Sequence, residues 1–164
     1  MRPNSLPLLP AQAGPAPQDL LLDLVLPSRL EALEDVRSRL DAVLGPLGLD
    51  EAVRDRIGLA THEAVANAMI HGNRRDPGRP VELRVLRDGD GLVIRVADHG
   101  AGFDPAAVAN PLRPENRLRP GGRGLLLMRA MADDAGHAPG ANGGTVVILR
   151  WRSGGDAPRP ELEP

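Results

Sequence analysis

Residues 63–73 read EAVANAMIHGN, and this stretch sets polar side chains at a regular interval in an otherwise apolar segment. Glu63, Asn67 and His71 are four residues apart, so on a helix they form one stripe. The small and apolar residues around them indicate that much of this helix is buried, and buried polar groups need hydrogen-bonding partners. The stripe is therefore either a solvated helix face or part of a site whose ligand or metal ion supplies those partners.

The sequence before this stretch predicts one strand and two helices. Leucines at every second position of residues 20–26 indicate a strand. Ser28 and Glu31 have the spacing of a capping box, which predicts a first helix that runs to the next Gly-Pro pair. Asp50 is the expected N-cap of the second helix, which carries the polar stripe and is broken by Gly72.

The sequence after the stretch predicts a hairpin, a long loop, a helix and a final strand. Two alternating runs within residues 81–98 flank a DGDG turn, which is typical of a hairpin. Residues 99–124 contain five glycines and four prolines without a sustained period, and loops of such length are usually functional or disordered. A helical pattern returns at 125–134 and a strand pattern at 145–151. This order predicts an α+β two-layer sandwich, a mixed and largely antiparallel sheet with its helices on one face.

Composition narrows the domain organisation and the class of partner. Residues 1–18 and 153–164 have the composition of flexible tails around one domain at 19–152. A net charge of -2 without a basic run argues against nucleic acid as a direct partner. The N-terminal segment resembles neither a signal peptide nor a membrane span, so no membrane contact is expected. The absence of cysteine fits a cytoplasmic location.

All 20 basic residues are arginine, which excludes a phosphate-binding loop built around lysine. Any bound phosphate must instead be met by backbone N–H groups, by a metal ion or by the planar fork of an arginine.

The motif Asp98-His-Gly100-Ala-Gly102 directly follows the second hairpin strand. Asp98 is in phase with the apolar residues of that strand and so points inward, where a carboxylate is costly unless it accepts hydrogen bonds. The exocyclic amino group of a base could donate one. An Asx-turn, in which Asp98 binds its own loop backbone, is the alternative.

A second glycine-rich motif, GGRGL at residues 121–125, leads straight into the third predicted helix. Exposed N–H groups and the positive end of the helix dipole attract phosphates at such a position. A glycine hinge into a packed helix explains the same residues equally well.

Three short motifs occur in a fixed order along the chain: Glu63-x-x-x-Asn67, Asp98-x-Gly100-x-Gly102 and Gly122-x-Gly124-Leu125. Together they resemble the nucleotide-binding boxes of the Bergerat ATP-binding superfamily, which contains gyrases, histidine kinases, a heat-shock chaperone and mismatch-repair ATPases. Within it, the stretches EAVANAMIHGN, DHGAGFDP, GRGLLLMRAMADD and GGTVVILR are similar to those of the small anti-sigma-factor serine kinases. The resemblance covers about residues 20–152.

The resemblance implies a Bergerat (histidine-kinase-like ATPase) fold and a role for each matched residue. Glu63 would be the general base, Asn67 a ligand of Mg²⁺, and Asp98 the acceptor for the adenine amino group of ATP. The expected nucleotide-binding set also contains Gly100, Gly102, Gly122, Gly124, Leu125 and Thr145. Arg123 joins it only from its place in a lysine-free site, where it either reaches the γ-phosphate or remains a solvated loop residue. Residues 104–121 would form a mobile lid over the nucleotide.

The implied function is that of a Mg-ATP-dependent protein serine/threonine kinase. It would phosphorylate an anti-anti-sigma antagonist and, as a homodimer, hold an alternative sigma factor. Two alternatives stay open, an ATP-binding switch without phosphotransfer and a protein-interaction domain that has lost the nucleotide.

Overall fold

Five strands and three α-helices make up the part of the chain that the computed structural model describes, residues 19–102 and 122–152. In chain order they are β1 (Leu20–Leu26), α1 (Ala32–Leu44), α2 (Glu51–Asn67), β2 (Val81–Asp88), β3 (Gly91–Ala97), α3 (Gly122–Met131), β4 (Asp134–Pro139) and β5 (Thr145–Trp151). A short 3₁₀ turn follows α1, and a single π-helical turn, Ala68–Gly72, extends α2. None of the described helices is long and apolar enough to cross a membrane.

The strands form one sheet in the order β1-β2-β3-β5-β4. All pairings between the described strands are antiparallel, which confirms the predicted, largely antiparallel sheet. The predicted hairpin is β2–β3, and it closes at the pair Asp88 and Gly91. Gly89 in its turn has a φ of 61°, a conformation that favours glycine.

The hydrophobic core lies between one face of this sheet and all three helices, as predicted for a two-layer sandwich. Alternate residues of the two hairpin strands point into it, because successive side chains of a strand face opposite sides. Its buried members include Val36, Leu40, Ile57, Leu83, Val85, Ile94, Val96 and Met128. Trp151 closes the core next to α3, where its indole Nε1 donates a hydrogen bond to the carbonyl of Met131 at 2.9 Å.

The predicted capping box at Ser28 is wrong. Helix α1 begins at Ala32, and its N-cap, Glu31, makes no capping hydrogen bond through its side chain. Ser28 is buried and donates its hydroxyl hydrogen to the carbonyl of Arg79 at 2.7 Å, across 51 residues of sequence. Ser28 therefore makes a long-range hydrogen bond in place of the local capping bond. The spacing of residues in the sequence does not predict such a long-range partner.

Strand β4 is a second correction, because the sequence pattern places Asp134 at the end of the third helix and predicts no strand between that helix and residue 145. Helix α3 ends at Met131, and the segment DAGHAP pairs with β5 from Asp134–Arg150 to Pro139–Thr145. Gly, Ala and Pro are poor strand formers, so β4 forms because it pairs with β5 and not because of its own sequence preference.

Gly58 offers a test of helix stability that is independent of the site. It lies in the interior of α2, and a Cβ added there would meet no atom within 4 Å. We expect Gly58→Ala to raise the free energy of unfolding by ~0.5–1 kcal/mol, since glycine loses more backbone entropy than alanine in a helix. Chemical denaturation measures this change. A less stable variant would contradict the observation that a methyl group at residue 58 meets no other atom.

Candidate functional site

The end of α2 contacts the start of α3, and the turn that follows α2 contacts the residues after β3. Gly124, in the first turn of α3, packs directly on the polar stripe of α2. A Cβ placed on Gly124 would lie 2.7 Å from Nδ2 of Asn67 and 3.1 Å from Oε2 of Glu63. Any larger residue would therefore push against both side chains. The structure thus brings the first and third motifs together.

The polar stripe divides into two parts. Glu63 and Asn67 are half-buried and face the start of α3, whereas His71 is exposed. His71 therefore stands apart from the other two residues of the stripe.

Asp98 follows β3 and is enclosed by backbone. A Cβ on Gly72 would collide with the carboxylate of Asp98, and a Cβ on Gly144 would collide with its carbonyl. Gly100 packs equally closely against the carbonyl of Gly72. Three glycines from three segments therefore allow the chain to close around this one side chain.

The carboxylate of Asp98 is held by hydrogen bonds to one of its oxygens. Its Oδ1 accepts the N–H groups of Gly100 at 2.9 Å and Thr145 at 3.3 Å. The Asp98 N–H in turn donates to the carbonyl of Thr145 at 2.9 Å. The bond to Gly100 is the Asx-turn of the alternative interpretation. Among described residues, however, both donors to the carboxylate fall on Oδ1, so Oδ2 can still accept a hydrogen bond from a ligand.

Burial raises the pKa of Asp98 above the ordinary aspartate value. The hydrogen bonds from Gly100 and Thr145, together with the charge of His99, lower the pKa and offset only part of that effect. Because folding raises this pKa, the charged carboxylate opposes folding at neutral pH. A carboxylate kept where it costs stability is typical of a functional site.

Gly72 does not end the helix in the predicted way. The left-handed conformation that usually belongs to a glycine after a helix is taken by Arg74 and Arg75, with φ of 54° and 58°. The Arg75 N–H closes the turn by donating to the carbonyl of Met69 at 2.7 Å. Gly72 is required instead for its missing Cβ, which leaves room for Asp98.

The structure shows the surroundings of some of the remaining predicted residues. Thr145 binds Asp98 through its backbone, Leu125 is buried in the core, and Gly102 has a φ of 94° beyond the enclosed carboxylate. Gly122 and Arg123 lie at the start of α3. The predicted lid, residues 104–121, also lies outside the described residues, as do both predicted tails.

Asn73 is a site residue that the sequence motifs do not identify. It is fully buried, and its Oδ1 accepts the N–H of His99, the residue after Asp98, at 2.8 Å. Its only signal in the sequence is its position at the end of EAVANAMIHGN, next to Gly72.

The arrangement offers two different binding environments a short distance apart. Asn67 and Gly72 are five positions apart in the sequence and lie at either end of the π-helical turn. At one end the half-buried carboxylate of Asp98 can accept a hydrogen bond from a planar amino group. At the other end an amide, a carboxylate and a helix N-terminus can hold phosphate and a hard cation. A nucleotide, with a nucleobase at one end and phosphates at the other, matches both binding environments.

Known proteins are similar to this chain in sequence and in fold. Residues 26–151 match the family description of the histidine kinase-like ATPase domain. The chain is 34% identical over 105 residues to anti-sigma F factor of Anoxybacillus flavithermus, and that match covers 62% of this chain and 69% of the relative. It is 27% identical over 139 residues to serine-protein kinase RsbW of Bacillus subtilis, which covers 81% of this chain and 86% of the relative.

A solved structure that contains an RsbW domain is similar to this chain in fold. The crystal structure of the RsbU and RsbW domains of a Mycobacterium tuberculosis protein matches this chain with a TM-score of 0.59 and 25% identity. The match covers 80% of this chain and 32% of that one, so this chain spans about a third of the solved structure. The chain therefore belongs to the family of histidine kinase-like ATPase domains, and its curated relatives there are anti-sigma factors and serine-protein kinases.

Proposed function

We propose that this chain is an ATP-dependent protein serine/threonine kinase of the anti-sigma type. It phosphorylates an anti-anti-sigma antagonist and holds an alternative sigma factor. The contact of Gly124 with Glu63 and Asn67 carries the proposal, since it sets a carboxylate that can act as a base beside the N-terminus of α3, where phosphate would bind. The names of the relatives, anti-sigma F factor and serine-protein kinase RsbW, support the choice of partner and reaction.

Asp98 recognises the adenine in this proposal. Its Oδ1 is held by two backbone N–H groups, so Oδ2 can accept a hydrogen bond from the exocyclic amino group. A site built around such a bond discriminates strongly against a base that lacks the amino group. Gly100, Gly102 and Thr145 fix the backbone around the base.

The side chains near α3 fit a magnesium ion that arrives with the phosphates. Magnesium is usually held by one or two protein oxygens and completes its shell with phosphate and water. Asn67 supplies an amide oxygen, and Gly124 keeps the space beside it free of a side chain. The ion would neutralise phosphate charge, while the backbone N–H groups at the start of α3 bind phosphate oxygens.

Glu63 takes the proton in the transfer step. The serine or threonine hydroxyl of the partner attacks the γ-phosphorus, its O–H proton passes to Glu63, and the bond to the β-phosphate oxygen breaks to release ADP. Such a transfer depends mainly on alignment and charge neutralisation, which a positioned carboxylate and a helix N-terminus can supply. Arg123, in the first turn of α3, is a further proposed phosphate contact. The proposal also includes a homodimer in the cytoplasm and a single ATP-binding unit at residues 19–152.

Calorimetric titration of ATP into nucleotide-free protein, with and without Mg²⁺, tests the first half of the proposal. Transfer of the γ-phosphate to the anti-anti-sigma proteins of the same organism, expressed one by one, tests the second. Magnesium-dependent binding with transfer to a serine or threonine supports the kinase. Binding without transfer favours the switch, and a folded protein that binds no ATP overturns both.

Asn67→Ala is expected to abolish the tightening of ATP binding by Mg²⁺, because a hard cation loses one oxygen ligand. ATP titrations at zero and saturating Mg²⁺ measure the effect as a ratio of two affinities. His71→Ala is the matched control, since His71 is exposed and stands apart from Glu63 and Asn67. A metal dependence that survives in Asn67→Ala would remove Asn67 from the metal site.

A further inference from the structure

The side chain of Asn73 connects separate segments of the chain through one buried amide. Its Oδ1 accepts the N–H of His99 at 2.8 Å. Its Nδ2 lies 2.9 Å from Ser28 Oγ and from the carbonyls of Arg79 and Pro80. The residue is completely buried, so each of these bonds replaces one to water.

The chemistry of the neighbours fixes the orientation of this amide. The backbone N–H of His99 can only donate, so it requires the oxygen of Asn73. The two carbonyls on the other side can only accept, so they require the nitrogen. Aspartate would keep the acceptor and lose the donors, and alanine would lose both.

The bond to His99 acts on Asp98 because the His99 N–H belongs to the peptide group that joins the two residues. Holding that peptide plane restricts the backbone of Asp98 on its C-terminal side. Thr145 restricts the N-terminal side, where its carbonyl accepts the Asp98 N–H at 2.9 Å. Asn73 and Thr145 therefore hold Asp98 from both sides.

The same turn also links Asp98 to the other end of the site. The Asn73 N–H donates to the carbonyl of Ala68 at 2.8 Å and so closes the π-helical turn that follows Asn67 directly. Gly72, the residue before Asn73, packs against the Asp98 carboxylate. Single π-helical turns within helices are frequent at functional sites, where they redirect the chain. Here the turn places Gly72 against the Asp98 carboxylate and the Asn73 amide against the N–H of His99.

We propose that Asn73 is a positioning residue for nucleotide recognition, which holds the backbone of Asp98 so that its carboxylate meets the adenine amino group. This inference rests on the proposed ATP-binding function. A purely structural amide would need only the bonds to Ser28, Arg79 and Pro80, which tie the loop after α2 to the start of α1. The bond to His99 is the one that reaches the site.

The preference for ATP over inosine triphosphate measures this role separately from stability. The two nucleotides differ at the base, where an oxygen replaces the amino group that Asp98 would bind. We expect Asn73→Ala to lower ATP affinity about tenfold and to lower the preference for ATP by a similar factor, as for one misplaced hydrogen bond. Both affinities are measured by calorimetry at a temperature where thermal denaturation shows the variant to be folded.

Ser28→Ala is the matched control. Ser28 shares the Arg79 carbonyl with Asn73 and makes no contact with His99 in the described hydrogen-bond network. It is expected to lower the melting temperature and leave the nucleotide preference unchanged. Asn73→Asp is the second variant, which retains an oxygen for His99. It is expected to keep more of the preference for ATP than Asn73→Ala, although it loses the donors and with them stability.

The outcomes separate the inference from the function on which it rests. A lowered preference in Asn73→Ala with a normal preference in Ser28→Ala supports the positioning role. If Asn73→Ala unfolds, a preference in folded Asn73→Asp below the wild-type value, with a normal preference in Ser28→Ala, supports the role, and the full wild-type preference in Asn73→Asp overturns it. A folded Asn73→Ala with the wild-type preference shows that Asn73 is only structural. A wild-type protein that binds neither nucleotide overturns the proposed function itself, and this inference with it.

Discussion

Glu63→Gln is expected to lower the rate of phosphotransfer by ~10²-fold or more and to leave ATP affinity within about twofold of the wild type. Glutamine keeps the size of the side chain and its contact with Gly124, so the helix packing is preserved. Its amide can orient a hydroxyl but cannot accept the proton that the hydroxyl loses. Single-turnover transfer at saturating Mg-ATP measures the chemical step, and calorimetry measures the affinity.

His62→Gln is the control for this substitution, because His62 precedes Glu63 on the same helix and is exposed. It should transfer phosphate at the wild-type rate. Equal rates in Glu63→Gln and wild type would remove the general base and favour an ATP-binding switch without transfer. A joint loss of transfer and ATP affinity would instead assign Glu63 to the metal and phosphates.

The features of the site that the sequence could predict are those that follow from the repeat of a helix or a strand over a few consecutive residues. The spacing of Glu63 and Asn67 on a helix implies a shared face, and both contact the same glycine of α3. The alternation along β3 implies that Asp98 points to the inner side, and its carboxylate is enclosed there by Gly72 and Gly144. Helical and strand periods are properties of a few consecutive residues, so they can be read without a partner.

The parts that sequence could not predict depend on distant partners. Ser28 has the spacing of a capping residue, but its hydroxyl binds Arg79 and Asn73. Strand β4 has the composition of a loop and is a strand because it pairs with β5. Gly72 has the position of a helix breaker, yet its missing Cβ is what matters. In each case a tertiary contact overrides the local preference, and that contact cannot be inferred from a single sequence.

Asp98→Asn is expected to weaken ATP binding by ~10²-fold or more. The N–H groups of Gly100 and Thr145 can only donate, so the amide oxygen must take the place of Oδ1. The amide nitrogen then occupies the place of Oδ2, where its hydrogens oppose those of the adenine amino group. ATP binding should therefore be at least as weak as in Asp98→Ala, in which the acceptor is lost without a new opposing donor.

The same substitution is expected to raise the stability of the nucleotide-free protein at pH 7. Because burial raises the pKa of Asp98 on folding, the folded protein holds this proton more tightly than the unfolded chain does. The contribution of Asp98 to stability is then greatest below the unfolded pKa and is lost as the pH rises through the folded pKa. Asparagine carries no charge, so the stability difference between variant and wild type should shrink as the pH falls toward the ordinary aspartate pKa.

Chemical denaturation of both proteins between pH 7 and pH 4 measures this difference, and calorimetry at pH 7 measures the lost affinity. A variant that binds ATP normally would remove Asp98 from adenine recognition. A variant that loses both ATP affinity and stability would show that the carboxylate is needed for the fold, so that the weaker binding follows from a disturbed site. Weaker binding in a more stable protein is the combination expected of a carboxylate retained for its ligand at the expense of stability.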